Sequence, residues 1–490
     1  MRTGFEDSTS FPRRAPRSRR ARALAVLAGA LGAVFTAAIT GCTVGPAYRR
    51  PAVEIPDKTR GEEGAAQAAS LADQAWWDVF KDEELGRLVQ EALEKGYDVR
   101  IAAWRVEEAR ALSGVARSDL YPQVQLDAGW SRTRGPEALY PGLGTQNLAR
   151  IHLGVSWEID VWGRIRRLSE AARARYLASE DARRGVLLTL VSDVAQAYFE
   201  LRALDRRLEI ATRTRDAFQG SYDLFNRRLE GGAASGLETA SAEAAFSSVA
   251  AAVPNIERQI AAKENELALL LGRLPGPIAR GGALEDQFLP PDVPPGLPSD
   301  LLERRPDLRE AEQQLIAANA DVGVATADLF PRLSLTADGG AVSPELSNLF
   351  SAGRTWSVGA GLLAPVFQGK RLRHEREAAV ARWEQATAQY QQRVTGAFGE
   401  VSTALVAYRK LAEVEKELAR AVDADRRAVN LSNERYVAGL SDYLDVLVAQ
   451  QQQLNAEISL SQARLDRLST LVDLYKSLGG GWRIGAEAPR

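Results

Sequence analysis

The sequence predicts a mainly α-helical chain that carries four β-strands of membrane-crossing length and is built twice from one structural unit. Three observations predict this: short motifs recur at nearly one offset, four segments alternate apolar and polar residues, and long stretches keep a heptad rhythm. The chain has 490 residues, 45% of them hydrophobic, so it can bury a sizeable core.

The recurrence organises everything else. Ser118-Asp119-Leu120-Tyr121-Pro122 returns as Ala327-Asp328-Leu329-Phe330-Pro331, 209 residues later. Val161-Trp162-Gly163-Arg164 returns as Phe367-Gln368-Gly369-Lys370 at an offset of 206. Arg228-Leu229-Glu230-Gly231-Gly232 returns as Arg435-Tyr436-Val437-Ala438-Gly439 at 207. Seven prolines crowd Pro275 to Pro298, where neither a helix nor a central strand tolerates them. Residues 273–298 therefore read as a linker between a first repeat, 76–272, and a second, 299–478. An extended segment, 42–75, precedes them and a tail, 479–490, follows.

The first strand, near 123–132, alternates Val124, Leu126, Ala128 and Trp130 with Gln123, Gln125, Asp127 and Gly129. The second, near 150–159, places Ile151, Leu153, Val155 and Trp157 on one face. The third, near 332–341, does so with Leu333, Leu335 and Ala337, and the fourth, near 355–363, with Trp356, Val358, Ala360 and Leu362. About ten residues is the length a tilted strand needs to cross an outer membrane. Trp130, Trp157 and Trp356 near the segment ends suit an interfacial girdle. Residues 133–149 and 342–354 are then surface loops. A soluble sheet with one wet face shows the same alternation.

Leu187, Val191, Val194, Tyr198 and Leu201 step by four and three, as do Tyr390, Val394, Ala397, Val401, Ala404 and Tyr408. Leu447, Gln451, Leu454, Ile458, Ser461, Leu465, Leu468 and Val472 keep the rhythm. A 3.5-residue repeat means coiled-coil packing of antiparallel helices. The expected long helices, 168–230 and 375–437, are each about 95 Å at 1.5 Å per residue. Gly231-Gly232 and Gly439 allow turns into shorter helices, 236–271 and 442–478. Pro254 is expected to kink or interrupt the first of these.

The N-terminus is an address. Arg13 to Arg22 is Arg-rich, Ala23 to Ile39 is an uncharged apolar run too short to span comfortably, and Thr40-Gly41-Cys42 follows. The pattern resembles a bacterial lipoprotein signal over residues 1–41, with Cys42 lipidated as the first mature residue. Thr43 follows it, not the Asp that often retains such proteins at the inner membrane. Removing seven Arg and two acids with the signal shifts the net charge from −2 to −7.

Several blocks resemble the TolC-like outer-membrane efflux channels, in their lipoprotein (NodT-type) branch. These are Cys42-Thr43-Val44-Gly45-Pro46-Ala47-Tyr48, then Trp76-Trp77-Asp78-Val79-Phe80 with Asp82 and Leu85. Leu297-Pro298-Ser299-Asp300-Leu301-Leu302-Glu303-Arg304-Arg305-Pro306-Asp307-Leu308 matches most specifically. Arg435-Tyr436, Gly439 and Tyr443-Leu444-Asp445-Val446-Leu447 complete the set. The resemblance covers the mature chain. It implies a homotrimer with a 12-stranded β-barrel continuous with an α-helical tunnel, anchored in the cell outer membrane and extending into the periplasm. Twelve strands leave room for a conduit, which eight do not.

The implied role is the passive exit duct of a tripartite efflux system, with a periplasmic adaptor and an inner-membrane pump as partners, outer-membrane lipid around it and small toxic compounds or metal ions as cargo. A protein-secretion duct of the same fold, or a lipid-anchored periplasmic scaffold or adaptor that does not span, are the alternatives. The resemblance places a periplasmic gate at Tyr436 and Asp445, with apolar closure by Leu444 and Val448. Val448 stands where related channels often have a second acid. Adaptor-contact tips are expected at Arg228, Leu229, Gly232, Ala234 and Ser235, and at Arg435, Gly439, Leu440 and Ser441.

Other classes find little support. Near-neutral charge and a pI near 6 argue against nucleic-acid binding. One Cys excludes an internal disulfide framework, and two His leave no histidine-rich metal site. His152 and His374 read as solvated surface. No phosphate loop, zinc-spacing motif or nucleophile elbow occurs, so the sequence predicts no catalytic residues, no metal ligands and no cofactor beyond the lipid on Cys42.

Overall fold

A computed structural model describes residues 43–61, 70–74, 76–136, 142, 144–291 and 293–480. The expected signal, Cys42 and the last ten residues of the tail lie outside them. The chain divides into two compact units, one with residues 1–47, 114–171 and 319–380 and the other with 48–113, 172–318 and 381–490. In order, the elements are α1 (Trp76–Phe80), α2 (Glu83–Lys95), α3 (Tyr97–Ser118), β1 (Gln123–Arg134), β2 (Thr145–Ile159), α4 (Arg164–Glu230) and α5 (Gly236–Leu270). Then come α6 (Leu301–Arg304), α7 (Pro306–Ala327), β3 (Arg332–Ser343), α8 (Leu349–Ala352), β4 (Arg354–Leu363), α9 (Arg371–Val437) and α10 (Tyr443–Ser477). Both long helices have 67 residues and both short partners 35.

The first unit holds one antiparallel sheet in the order β1-β2-β3-β4. Its register aligns every apolar position that alternation picked out. Val124 faces Val155, which faces Ala337, which faces Val358. Leu126, Leu153, Gly339 and Trp356 form the next row. A one-residue slip would turn each strand over, so the shared apolar face fixes the register. From Ala149 to Ile159 this face spans ten residue steps, about 33 Å along the strand and about 25 Å high at roughly 40° tilt, the height of a lipid-facing band. Beyond Trp130 the same face turns polar through Arg132 and Arg134 on β1 and Asn147 on β2. Both edge strands are open: β4 is exposed along its whole length and β1 at all but one position.

The strands run past their expected ends at the loop side, because pairing continues from Arg134 to Thr145, from Ala149 to Ser343, and from the Val342 N–H to the Gly353 carbonyl. Both expected surface loops are shorter for it. In the second of them, Leu349 from α8 packs on the small residues Ala149 and Ala341. Trp130 and Trp356 are exposed as a girdle requires. Trp157 instead donates its indole N–H to the Leu120 carbonyl, 3.0 Å away. His152 is not simply solvated: its Nδ1 lies 2.7 Å from Asp338 Oδ1. His374 is exposed beside Glu377.

The second unit is a helical core. Val191, Val194, Tyr198 and Leu201 of α4, Val401, Ala404 and Tyr408 of α9, and Leu465, Leu468 and Val472 of α10 all bury in one cluster. These are the heptad positions; Gln451 alone is exposed, since a polar amide gains nothing there. Leu85, Leu88, Val89 and Ala92 cover the cluster from α2, whose apolar stripe points inward. The Pro-rich linker is extended yet not loose. Ile278, Leu284 and Val293 sink into the core. Arg464 of α10 donates to the carbonyls of Leu284, Glu285 and Gln287, which lack helical or ladder partners.

The long helices begin four residues earlier than the heptads indicate, directly after left-handed residues, Gly163 (φ 80°) before α4 and Lys370 (φ 69°) before α9. α5 runs unbroken through Pro254, contrary to an interruption there. The ring sits at an exposed position, where water can meet the carbonyl that loses its N–H partner.

The two faces of β4 give a direct test. Val358→Arg puts a charge on the apolar face of an edge strand, a cost of about 2–4 kcal/mol near a bilayer midplane. Ser357→Arg puts it on the polar face. Membrane-inserted protein in outer-membrane fractions is expected to fall sharply for Val358→Arg and to stay near wild type for Ser357→Arg. Equal yields would remove the lipid-facing assignment.

Candidate functional site

The candidate site is the pair of helix turns in the second unit, α4 to α5 and α9 to α10. Both close with the same hydrogen bonds. The Gly232 and Ala233 N–H groups donate to Leu229 and Arg228 carbonyls at 2.9 and 2.7 Å. The Gly439 and Leu440 N–H groups donate to Tyr436 and Arg435 carbonyls at 3.0 and 2.8 Å. This is the six-to-one, five-to-two closure of a Schellman turn, which needs a left-handed residue at the first position past the helix. Gly232 has φ 70° and Gly439 φ 71°.

The turns then diverge. Ser235 caps α5 with a full capping box: its Oγ accepts from the Glu238 N–H at 3.2 Å, and its own N–H donates to Glu238 Oε2 at 2.8 Å. That backbone bond holds the Glu238 carboxyl below the usual carboxylate range. The equivalent cap of α10, Asp442, makes no side-chain cap bond. Asp445, equivalent to Glu238, is left exposed in the first turn, where its charge meets only the helix dipole.

An aromatic cluster ties the two turns together. Tyr443 lies 4.3 Å from Phe225 and 5.4 Å from Tyr436, centroid to centroid. Arg228 of α4 donates from Nη1 to the Tyr436 hydroxyl at 2.5 Å and lies over its ring. Burial raises the Tyr443 phenol above its usual range. Farther along, the Glu457 carboxylate of α10 is 4% exposed between Arg213 of α4 and Arg426 of α9, with Gln453 Nε2 at 3.1 Å. Removing either cation would leave a buried charge with half its compensation.

The expected residues fall into two groups. Leu444 and Val448 are 63% and 48% exposed, one helical turn apart, with Asp445 between them. Tyr436 is turned into the cluster with Phe225, Tyr443 and Arg228, where its ring finds apolar contacts, and Asp445 is exposed. Among the tips, Arg228, Leu229, Gly232, Ser235, Arg435, Gly439 and Leu440 are exposed. Ala234 and Ser441, which are equivalent positions, are half-buried, and the Ser441 Oγ has no partner. Phe225, Tyr443 and Glu457 were missed. The seven-residue step from Tyr436 to Tyr443, and an acid next to the heptad seam at Leu454 and Ile458, were the available signals.

Among the described residues, no helix is long and apolar enough to cross a membrane, and no three His, Cys, Asp or Glu are placed to hold a metal ion. The sequence model of the outer membrane efflux protein family matches residues 88–273 and 297–480, one match in each repeat. The solvent efflux pump outer membrane protein SrpC of Pseudomonas putida is 35% identical over 456 residues, 91% of this chain and 96% of that protein. The probable outer membrane lipoprotein SilC of Salmonella typhimurium is 32% identical over 448 residues, 91% of this chain and 96% of its own. The open state of the Neisseria gonorrhoeae MtrE outer membrane channel superposes with a TM-score of 0.81 at 32% identity, covering 90% of this chain and 99% of that one. With a family match through both repeats and relatives alike from end to end, this chain belongs to the outer membrane efflux protein family and resides in the outer membrane.

Proposed function

We propose that three copies of this chain form the outer-membrane exit duct of a tripartite efflux system, receiving small toxic compounds from an inner-membrane pump through a periplasmic adaptor. The observation that carries the reading is the four-stranded sheet with one apolar face and two open edges, on a chain whose remainder is long paired helices. Relatives described as efflux pump proteins for solvent, toluene and antibiotics support the cargo class. Cys42 is the lipid attachment point in this reading, supported by the lipoprotein relative and by the signal-like residues before it. One set of strains tests both. Deleting the chain is expected to sensitise its host to organic solvents and antibiotics, and the wild type to restore resistance and take up a fatty-acid label. Cys42→Ser is expected to stay unlabelled. Unchanged sensitivity on deletion contradicts the efflux role, and a labelled Cys42→Ser contradicts the lipid site.

The gate belongs to the same proposal. Threefold repetition would gather Leu444, Asp445 and Val448 around the axis, an apolar constriction with an acidic mouth. A ring of carboxylates repels itself unless cations or protons attend it. Tyr436 serves this gate indirectly: as acceptor from Arg228 and neighbour of Tyr443, it holds the α9–α10 turn against α4. Exposed Arg228, Leu229, Leu237, Arg435 and Leu440 form the surface offered to the adaptor. In planar bilayers, Tyr436→Phe with Asp445→Ala is expected to raise single-channel conductance severalfold and weaken cation preference. Wild-type conductance and selectivity in that double variant would remove both residues from the gate.

A further inference from the structure

We propose that β4 of each chain pairs with β1 of the next in one antiparallel register, which sets Val366 opposite Val124 of the next chain and Trp356 opposite its Arg134. The proposal rests on the duct reading, in which copies of this chain close a barrel, and it specifies the seam between them.

The duplication supplies the register. The first hairpin ladder starts with Gln123 opposite Ser156 and the second with Arg332 opposite Leu363, so β1 maps onto β3 with an offset of 209 and β2 onto β4 with 207. Moved by these offsets, the β2–β3 pair Ile159–Leu333 becomes Val366–Val124, and Ala149–Ser343 becomes Trp356–Arg134. Ser343 is the last residue of β3, and Arg134 is likewise the last of β1. The other end explains why β4 stops at Leu363. Trp157 to Ile159 belong to β2 through β3 alone, since the β1 ladder reaches no further than Ser156. Their counterparts, Ala364 to Val366, stand on the open edge of the sheet. Ile159 is accordingly 5% exposed and Val366 96%.

Hydrogen bonding agrees. Along an antiparallel strand, residues alternate between bonding to one neighbour and to the other. The Val342 N–H donates to the Gly353 carbonyl at 2.8 Å, so even residues of β3 and odd residues of β4 bond to each other. Followed back through β2, the pairing makes odd residues of β1 bond to β2. The even residues of β1 and β4 are left for the seam, and they carry the apolar face. Pro365, which has no N–H to give, falls on an odd position, turned away from the seam.

Slips of two residues keep both face and bonding, and side chains choose among them. The proposed register sets large against small: Leu126 against Ala364, Leu362 against Ala128, and Trp130 against Ala360. It also makes a cation–aromatic pair of Arg134 and Trp356. A slip one way sets Leu126 against Leu362 and Arg134 against Arg354, and like charges directly opposite destabilise a sheet. A slip the other way sets Trp130 against Leu362 and carries Trp356 past the end of β1.

Disulfide trapping in outer membranes tests the register, on the polar face and in a Cys42→Ser background. Thr133 lies opposite Ser357 in it, and Ser131 opposite Gly359. Such odd pairs are non-hydrogen-bonded, with Cα atoms about 4.5 Å apart, within disulfide reach. Crossed pairs lie on a diagonal of about 7–8 Å. Within one chain β1 and β4 are three strand spacings apart, about 14 Å, so every link joins two chains. Thr133→Cys with Ser357→Cys, and Ser131→Cys with Gly359→Cys, are expected to form a covalent three-chain species. Their rate should exceed that of the crossed pairs, Thr133→Cys with Gly359→Cys and Ser131→Cys with Ser357→Cys, about fivefold or more. Where a double variant does not reach the membrane, the two substitutions on separate coexpressed chains report the same contact as a two-chain species. Crossed pairs that link as fast as the matched ones, or faster, overturn the register while leaving the duct intact. Two-chain links from Thr133→Cys or Ser357→Cys alone, which pair a strand with its own copy, overturn the seam. Absence of links from all four pairs also overturns the register, and protein that is in addition monomeric in non-denaturing electrophoresis overturns the duct reading itself.

Discussion

Backbone hydrogen bonding at the two open edges of the four-stranded sheet constrains the rest of this molecule. Inside a bilayer no water is available to satisfy an edge N–H or carbonyl, and each unsatisfied group costs several kcal/mol. A sheet with an apolar face meant for lipid therefore cannot remain a four-stranded fragment. Pairing β1 of one chain with β4 of the next removes both edges at once. Three chains give twelve strands and a lumen, whereas two give a barrel filled by its own side chains. The duplication then has a physical reading: each repeat supplies one hairpin and one pair of helices, so strand number and helix number rise together.

The helices inherit their geometry from the same duplication. α4 starts five residues after β2 ends, and α9 eight residues after β4. Both then run 67 residues to twin glycine-closed turns. The heptad core keeps neighbours in register, and the Pro-rich linker, bound through Arg464, seals one side of that core. Divergence between the repeats appears where function is assigned. Ser235 and Glu238 complete a cap on α5, while Asp442 and Asp445 leave the matching cap of α10 open. An uncapped, exposed acid beside bare Leu444 and Val448 makes a poor stabiliser of its own chain. It suits the gate we propose.

Much of this was legible in the sequence because it rests on period and on glycine. Alternation set the face of each strand residue, and the 207-residue offset set both turns. What stayed hidden depended on partners distant in sequence. Trp157 looked like a girdle residue until Leu120 offered it a carbonyl, and His152 looked solvated until Asp338 lay on its diagonal. The resemblance placed Tyr436 at a gate but could not show its partners; Phe225 and Arg228, some two hundred residues earlier, hold its ring and hydroxyl. Pro254 shows the limit of a local rule, since an exposed proline need not break a helix that packing holds.

The central claim is that edge strands of different chains pair. Cysteine pairs scanned along β1 and β4, in a Cys42→Ser background that leaves no other thiol, test it most directly. Oxidation of outer-membrane protein is expected to give covalent species that end at three chains, from pairs in one consistent antiparallel or parallel register. Cross-links that stop at two chains, extend beyond three, or form only within one chain would contradict the account.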